Sequence, residues 1–257
     1  MNRWVYRTSI AILGLLLVFI GGYTYMDSLS SLGSLVFWIS ILVAGTDLLK
    51  SSLKVLRENP TLPVFMLLTS YLALHFIVYS LAIEKLLTSI YGQLFSIGSP
   101  FVLISTTPFQ GNLLLVALYN LLFNPSLVIG IPPNFYIELS AYATIMGVII
   151  GILVTSIIVR IYKLFGSFRR MKTVFLAPLF GVIGGGSCCI SVPLLLSTAI
   201  PAANVILISP VGDVALLIAY VMLPPITAAG LALHFNALVP KTPKNLRLNK
   251  LGEGNKV

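Results

Sequence analysis

No Asp, Glu, Lys, Arg or His stands between Arg7 and Asp27, between Asp27 and Asp47, or between Glu58 and His75. The same is true from Leu86 to Ile137, from Leu139 to Val159 and from Thr173 to Gly212. A helix needs about 20 apolar residues to cross roughly 30 Å of hydrocarbon, and a chain made of such runs has few other uses for them. Of 257 residues, 58% are hydrophobic and 9% are charged, against roughly 25% charged in a soluble domain. So few ionised groups cannot cover a water-soluble globule. Disorder is excluded as well, because disordered chains are poor in apolar residues. Lipid is the solvent for most of this sequence. Only helices or closed barrels satisfy their backbone there, and these runs are longer than barrel strands and do not alternate. The expected fold class is an all-α integral membrane protein, a polytopic bundle of about eight transmembrane helices, some broken by Gly or Pro.

Charge position sets the expected topology. The formal net charge of +9 in a soluble protein would suggest nucleic acid. Here all the basic residues except Lys85 fall in short patches beside apolar runs: Arg3 and Arg7; Lys50, Lys54 and Arg57; Arg160 to Lys172; and Lys241 to Lys256. That is the positive-inside pattern, so the partner is the bilayer and its anionic headgroups, not nucleic acid. The spans expected are 8–25, 32–49, 61–83, 88–106, 113–131, 140–159, 173–199 and 203–223, with a partial element at 226–239. Residues 1–240 form one transmembrane domain, and 241–257 read as a solvated basic tail. The N-terminus and the tail are placed in the cytoplasm of a multi-pass cell-membrane protein. The first span is read as a retained signal anchor, since no A-x-A-like site follows it. Between Leu86 and Ile137 two crossings fit best, with a re-entrant hairpin or an external apolar loop as the alternatives.

Two stretches echo each other. Pro100 to Pro108 and Pro193 to Pro201 share the form Pro-x7-Pro with an internal Ser-Thr, and Pro132-Pro133 recurs as Pro224-Pro225. Paired Gly/Pro-interrupted segments of opposite direction point to an inverted-repeat transporter.

The sequence Gly184-Gly185-Gly186-Ser187-Cys188-Cys189-Ile190-Ser191-Val192-Pro193 is the strongest helix breaker. Each glycine costs about 1 kcal/mol in a helix, and Pro193 removes a donor. Open backbone at membrane depth belongs in protein or against a watery cavity. Ser187, Cys188, Cys189 and Ser191 are therefore binding candidates, with close helix packing as the plainer reading. The adjacent cysteines suit soft ions if deprotonated, but a four-sulfur zinc site needs more cysteines than the chain has. Ser-Cys-Cys with a following Pro-Leu resembles the paired-cysteine segment of mercuric-ion transport membrane proteins, over under a dozen residues and without their other cysteines. It assigns no family.

Asp213 stands inside an expected span, where an ionised acid costs roughly 2.5–3.5 kcal/mol; it is the first candidate for ion or proton coupling. His75 and His234 are further candidates, as metal ligands with Cys188 or as proton relays with Asp213. Asp47 is expected to pair with Lys50 on one helix face, and Arg160 to mark a helix end. The sequence leaves cofactor and metal unidentified. A Ser187–His75–Asp213 triad lacks a nucleophile elbow, so the reading leans away from an enzyme. The function expected is a small permease for an ion or small solute, acting alone or as a homo-oligomer. The alternative is a non-catalytic accessory subunit of a larger membrane complex, such as a respiratory one.

Overall fold

The computed structural model describes residues 3–78, 97–106, 112–132, 135–165 and 210–238. Most of them are helical, as the uncharged runs predict. Helices α1 (Arg3–Thr24) and α2 (Asp27–Leu48) form a hairpin. The chain reverses at Tyr25, which takes a left-handed φ of 57°, while Met26 N–H donates back to Gly21 O at 2.9 Å. That bond satisfies a carbonyl of the last helical turn and lets the chain fold back. Gly14, Val18 and Gly21 then meet Ser30, Gly33 and Phe37 backbone to backbone, as small residues allow in lipid. Helix α2 starts at Asp27, earlier than the expected 32, because its serines are hidden in this crossing. Ser30 and Ser34 are buried, and their hydroxyls reach Val18 O at 3.5 Å and Leu121 O at 3.4 Å.

At the other end of the hairpin Arg7 pairs with Asp47. This corrects the expected Asp47–Lys50 pair. The helix turns at Leu49 and Lys50 opens a new helix, α3 (Lys50–Arg57), so Asp47 is left to the neighbouring chain segment. Helix α3 buries Ser52 and exposes Lys50, Lys54 and Arg57, the form of a short helix lying along a membrane interface. Helix α4 (Leu62–Ala73) carries a proline in its first turn, where the missing N–H is harmless, and runs into a π-turn at Leu74–Val78.

The region 86–137 departs from expectation. Strand β1 (Phe101–Ser105), helix α5 (Leu113–Phe123), and strands β2 (Ser126–Ile131) and β3 (Phe135–Ser140) follow. The strands form an antiparallel sheet in the order β1-β2-β3, with Phe101 opposite Gly130 and Ser126 opposite Ser140. The all-α expectation is overturned here, and 113–131 is not one crossing. Helix α5 has 11 residues, about 16 Å of rise, roughly half a hydrocarbon core. Asn112 starts it by accepting from Leu114 N–H at 3.1 Å. Pro125 cannot continue it, and Val128, Ile129 and Ile131 favour a strand.

Helix α6 (Ala141–Phe165) is capped by Ser140, whose Oγ accepts from Ala143 N–H at 3.2 Å. It outruns the expected 140–159, so Arg160 and Lys163 lie within the helix rather than in a connector. Helix α7 (Pro210–Ala237) runs unbroken through Pro224 and Pro225, which removes the separate partial element at 226–239. The expected span 173–199 and the tail lie outside the described residues.

The inverted repeat is not borne out where the described residues test it. Pro100 precedes a strand, Pro132 lies in the β2–β3 turn, and Pro224-Pro225 lie inside a helix.

Helix α6 organises the packing and enters both core clusters. One gathers Trp38, Leu122, Tyr142 and Met146; the other gathers Leu49, Tyr71, Ile150, Ile157 and Phe235. Tyr142 meets Val221 near the start of α6, and Arg160 meets Phe235 near its end, so α6 and α7 run parallel. The bundle thus has a sheet end, with the α1–α2 turn, and a basic end. Arg7, Lys50, Lys54, Arg57, Arg160 and Lys163 all belong to the basic end. Val5–Thr24, Asp27–Asp47 and Ala141–Lys163 are long and apolar enough to cross a membrane.

Candidate functional site

His75 is the candidate that the structure places most fully. It is completely buried and belongs to the π-turn that ends α4. Such turns widen a helix by one residue and recur at functional sites. Its ring stacks on Tyr71 at 5.9 Å and meets Phe76 edge-on at 4.7 Å. On the other side lies the backbone of α6 at Gly147, where an added Cβ would stand 2.8 Å from both His75 Cδ2 and Nε2. One turn later Gly151 receives Tyr71 in the same way, with a Cβ at 3.0 Å from Tyr71 Cδ1. The two glycines, four residues apart on one face of α6, form the seat for the imidazole and its stacking partner. Sequence reasoning misses both glycines; their spacing is the available signal. Gly147→Ala is expected to push the imidazole aside and lower stability by about 1–3 kcal/mol. Detergent-unfolding midpoints followed by circular dichroism measure this, and an unchanged midpoint would show that the ring is not clamped.

Asp213 lies in α7, whose described part begins at Pro210. His234 lies in the last turn of the same helix. Twenty-one residues of helix separate the two, about 30 Å of rise. His234 therefore does not relay protons directly with Asp213. His75 is also remote from Asp213. It sits beside Gly147, beyond the Tyr142–Val221 contact, whereas Asp213 precedes that contact. The separation along the bundle is about 20 Å, which removes the Ser187–His75–Asp213 triad. Among the described residues, no group of three His, Cys, Asp or Glu could hold a metal ion. Ser187, Cys188, Cys189 and Ser191 lie outside the described residues.

The chain matches no known family model, and neither the curated proteins nor the solved structures contain a match. The residues alone must therefore carry the functional reading.

Sequence reasoning misses an aromatic pair between the sheet end and the bundle. Trp38 and Tyr142 have ring centroids 4.9 Å apart. The Trp38 indole N–H donates to Leu121 O at 2.6 Å, and the Tyr142 hydroxyl donates to Val221 O at 2.9 Å. Each carbonyl stands four residues before a proline, Pro125 and Pro225. Those are the positions whose N–H a helix would ordinarily use. The two side chains replace the donors that the prolines lack. A proline on one segment with a buried Trp or Tyr on another is too diffuse a pattern to read from sequence.

Arg160 is missed too. Its guanidinium lies over the Phe235 ring at 4.5 Å, and its Nη1 and the neighbouring helix's His234 Nε2 are buried without a hydrogen-bond partner among the described residues.

Proposed function

We propose that this chain is a small multi-pass permease of the cell membrane, moving an ion or small solute, with its basic end in the cytoplasm. What supports the reading is His75: an ionisable side chain fully enclosed in a π-turn within an apolar bundle. Ionisable groups at such sites are expensive and are retained for transfer of charge more often than for packing. The orientation rests on the gathering of the described Lys and Arg at one end. In this reading Asp213 is the coupling residue near the sheet end, and Ser187, Cys188, Cys189 and Ser191 line the broken segment. In the same reading Asp213 and His75 are stations along a path rather than members of one ligand set.

The test is flux in vesicles reconstituted with the full chain and loaded with a pH-sensitive dye, under an imposed pH gradient or potassium potential. Asp213→Asn is expected to abolish the protein-dependent flux while leaving detergent-purified assembly unchanged. Wild-type flux from that variant would remove the coupling role.

The second reading is an accessory subunit of a larger membrane complex. It draws on α1 and α2, whose outward faces expose Ile12, Leu16, Ile20, Leu35 and Ile39. Purification in a mild detergent separates the two readings: stoichiometric partners favour the subunit, and a lone monomer or homo-oligomer favours the permease.

A further inference from the structure

We propose that the basic end of the bundle holds a phosphate group between α3, α6 and α7, with Arg160 as its principal ligand. The site is independent of the permease reading. The Arg160 guanidinium carbon lies over the Phe235 ring at 4.5 Å, a contact that restrains the group and uses none of its N–H donors. Its Nη1 is buried with no acceptor among the described residues. A buried, permanently charged donor without an acceptor is costly, so the position calls for an anion.

The acids of the described chain do not supply it. At this end Asp47 is taken by Arg7 and Glu58 lies beside Lys54 at 3.6 Å. The other described acids, Asp27 and Glu138, belong to the sheet end, and Asp213 is the full length of α7 away. His234, one residue before Phe235, has its Nε2 buried and equally without a partner among the described residues.

The charge of this end points the same way. One turn before Arg160, Ser156 Oγ shares its hydrogen between Ile152 O at 2.6 Å and Ser52 O at 3.1 Å, so α3 packs on α6 beside the site. Helix α3 turns Ser52 inward and exposes Lys50, Lys54 and Arg57 on its opposite face, at the same end of the bundle. A planar fork of donors at the basic end of the bundle suits a tetrahedral oxyanion. Phosphate is the group of that kind present both in anionic lipid headgroups and in solution.

The test uses the purified full chain in neutral detergent, with binding measured for phosphatidylglycerol, phosphatidylcholine and inorganic phosphate. Wild type is expected to bind phosphatidylglycerol about tenfold more tightly than phosphatidylcholine, and Arg160→Gln to lose that preference. His234→Gln is expected to lose part of it. Competition by inorganic phosphate at millimolar concentration identifies a soluble phosphate as the ligand; its failure to compete identifies the headgroup. If Arg160→Gln does not fold, Phe235→Leu, which keeps the charge but removes the stacking face, is expected to weaken binding several-fold.

Three results overturn the proposal. One is an unchanged preference in both of those variants. Another is a loss in Lys54→Gln/Arg57→Gln as large as in Arg160→Gln, which means diffuse surface attraction. The third is a wild type that shows no preference until Glu253→Gln is introduced, which makes the tail carboxylate the counterion.

Discussion

Gly33→Leu is expected to separate the first two helices, and to cost more stability than Gly147→Ala or the loss of any one buried hydrogen bond. At Gly33 the neighbours of an added Cβ are Gly14 O and Val18 N, each at 2.7 Å. Both are backbone atoms, held by the hydrogen bonds of α1, so neither can swing aside as a side chain would. Overpacking commonly costs about 1–3 kcal/mol; here a whole helix must move, and the hairpin contact is expected to be lost outright. Gly33→Ala is expected to fall near that range. Gly45, on the same helix, has nothing within 4 Å of its added Cβ, so Gly45→Leu should leave stability unchanged. Unfolding in a rising mole fraction of denaturing detergent, followed by circular dichroism, ranks the three variants. Equal midpoints for Gly33→Leu and Gly45→Leu would refute the backbone-to-backbone crossing.

The second large effect concerns the proline-released carbonyls. Tyr142→Phe removes the donor to Val221 O and leaves a carbonyl unpaired in an apolar core, at a cost of about 1–3 kcal/mol. Trp38→Phe is expected to cost a similar amount, because Leu121 O keeps only the longer contact from Ser34 at 3.4 Å. The mechanism makes a sharper claim than the sign of these changes. Pro225→Ala restores an N–H four residues after Val221, so it should rescue Tyr142→Phe by returning the helical bond. The same substitution in the wild-type chain should do little, since the hydroxyl already serves the carbonyl. Denaturation midpoints for the four members of this cycle give the coupling. Strict additivity would mean that the hydroxyl and the proline are unconnected.

Hydropathy reads some segments of this chain well and others poorly, for identifiable reasons. Helices α1, α2 and α6 are legible because each is a long run without charge, and no soluble structure explains such runs. Their edges are not. The serines of α2 look like loop, yet they are the small residues that let α1 approach. Residues 101–140 mislead because period-two alternation needs a polar face. In β2 the exposed positions Leu127 and Ile131 are as apolar as the buried Val128, so strand and helix give the same signal. The double proline reads as a boundary, and it is one only when nothing else binds the carbonyls it frees. Asp213 is visible in the sequence as an acid in an apolar stretch. The seat of His75 is half legible: the histidine stands out, while Gly147 and Gly151, which make room for it, do not.

The order in which the chain is made gives the aromatic pair a further meaning. Trp38 leaves the ribosome before Leu121, and Tyr142 before Val221. Each donor is thus already made when the proline-bearing segment that needs it arrives. Helix α7 folding alone would carry carbonyls with no partner. Entering beside a finished α6, it finds one waiting. The last described helix is therefore a client of those before it, and a truncated chain ending after α6 should assemble more readily than α7 expressed on its own.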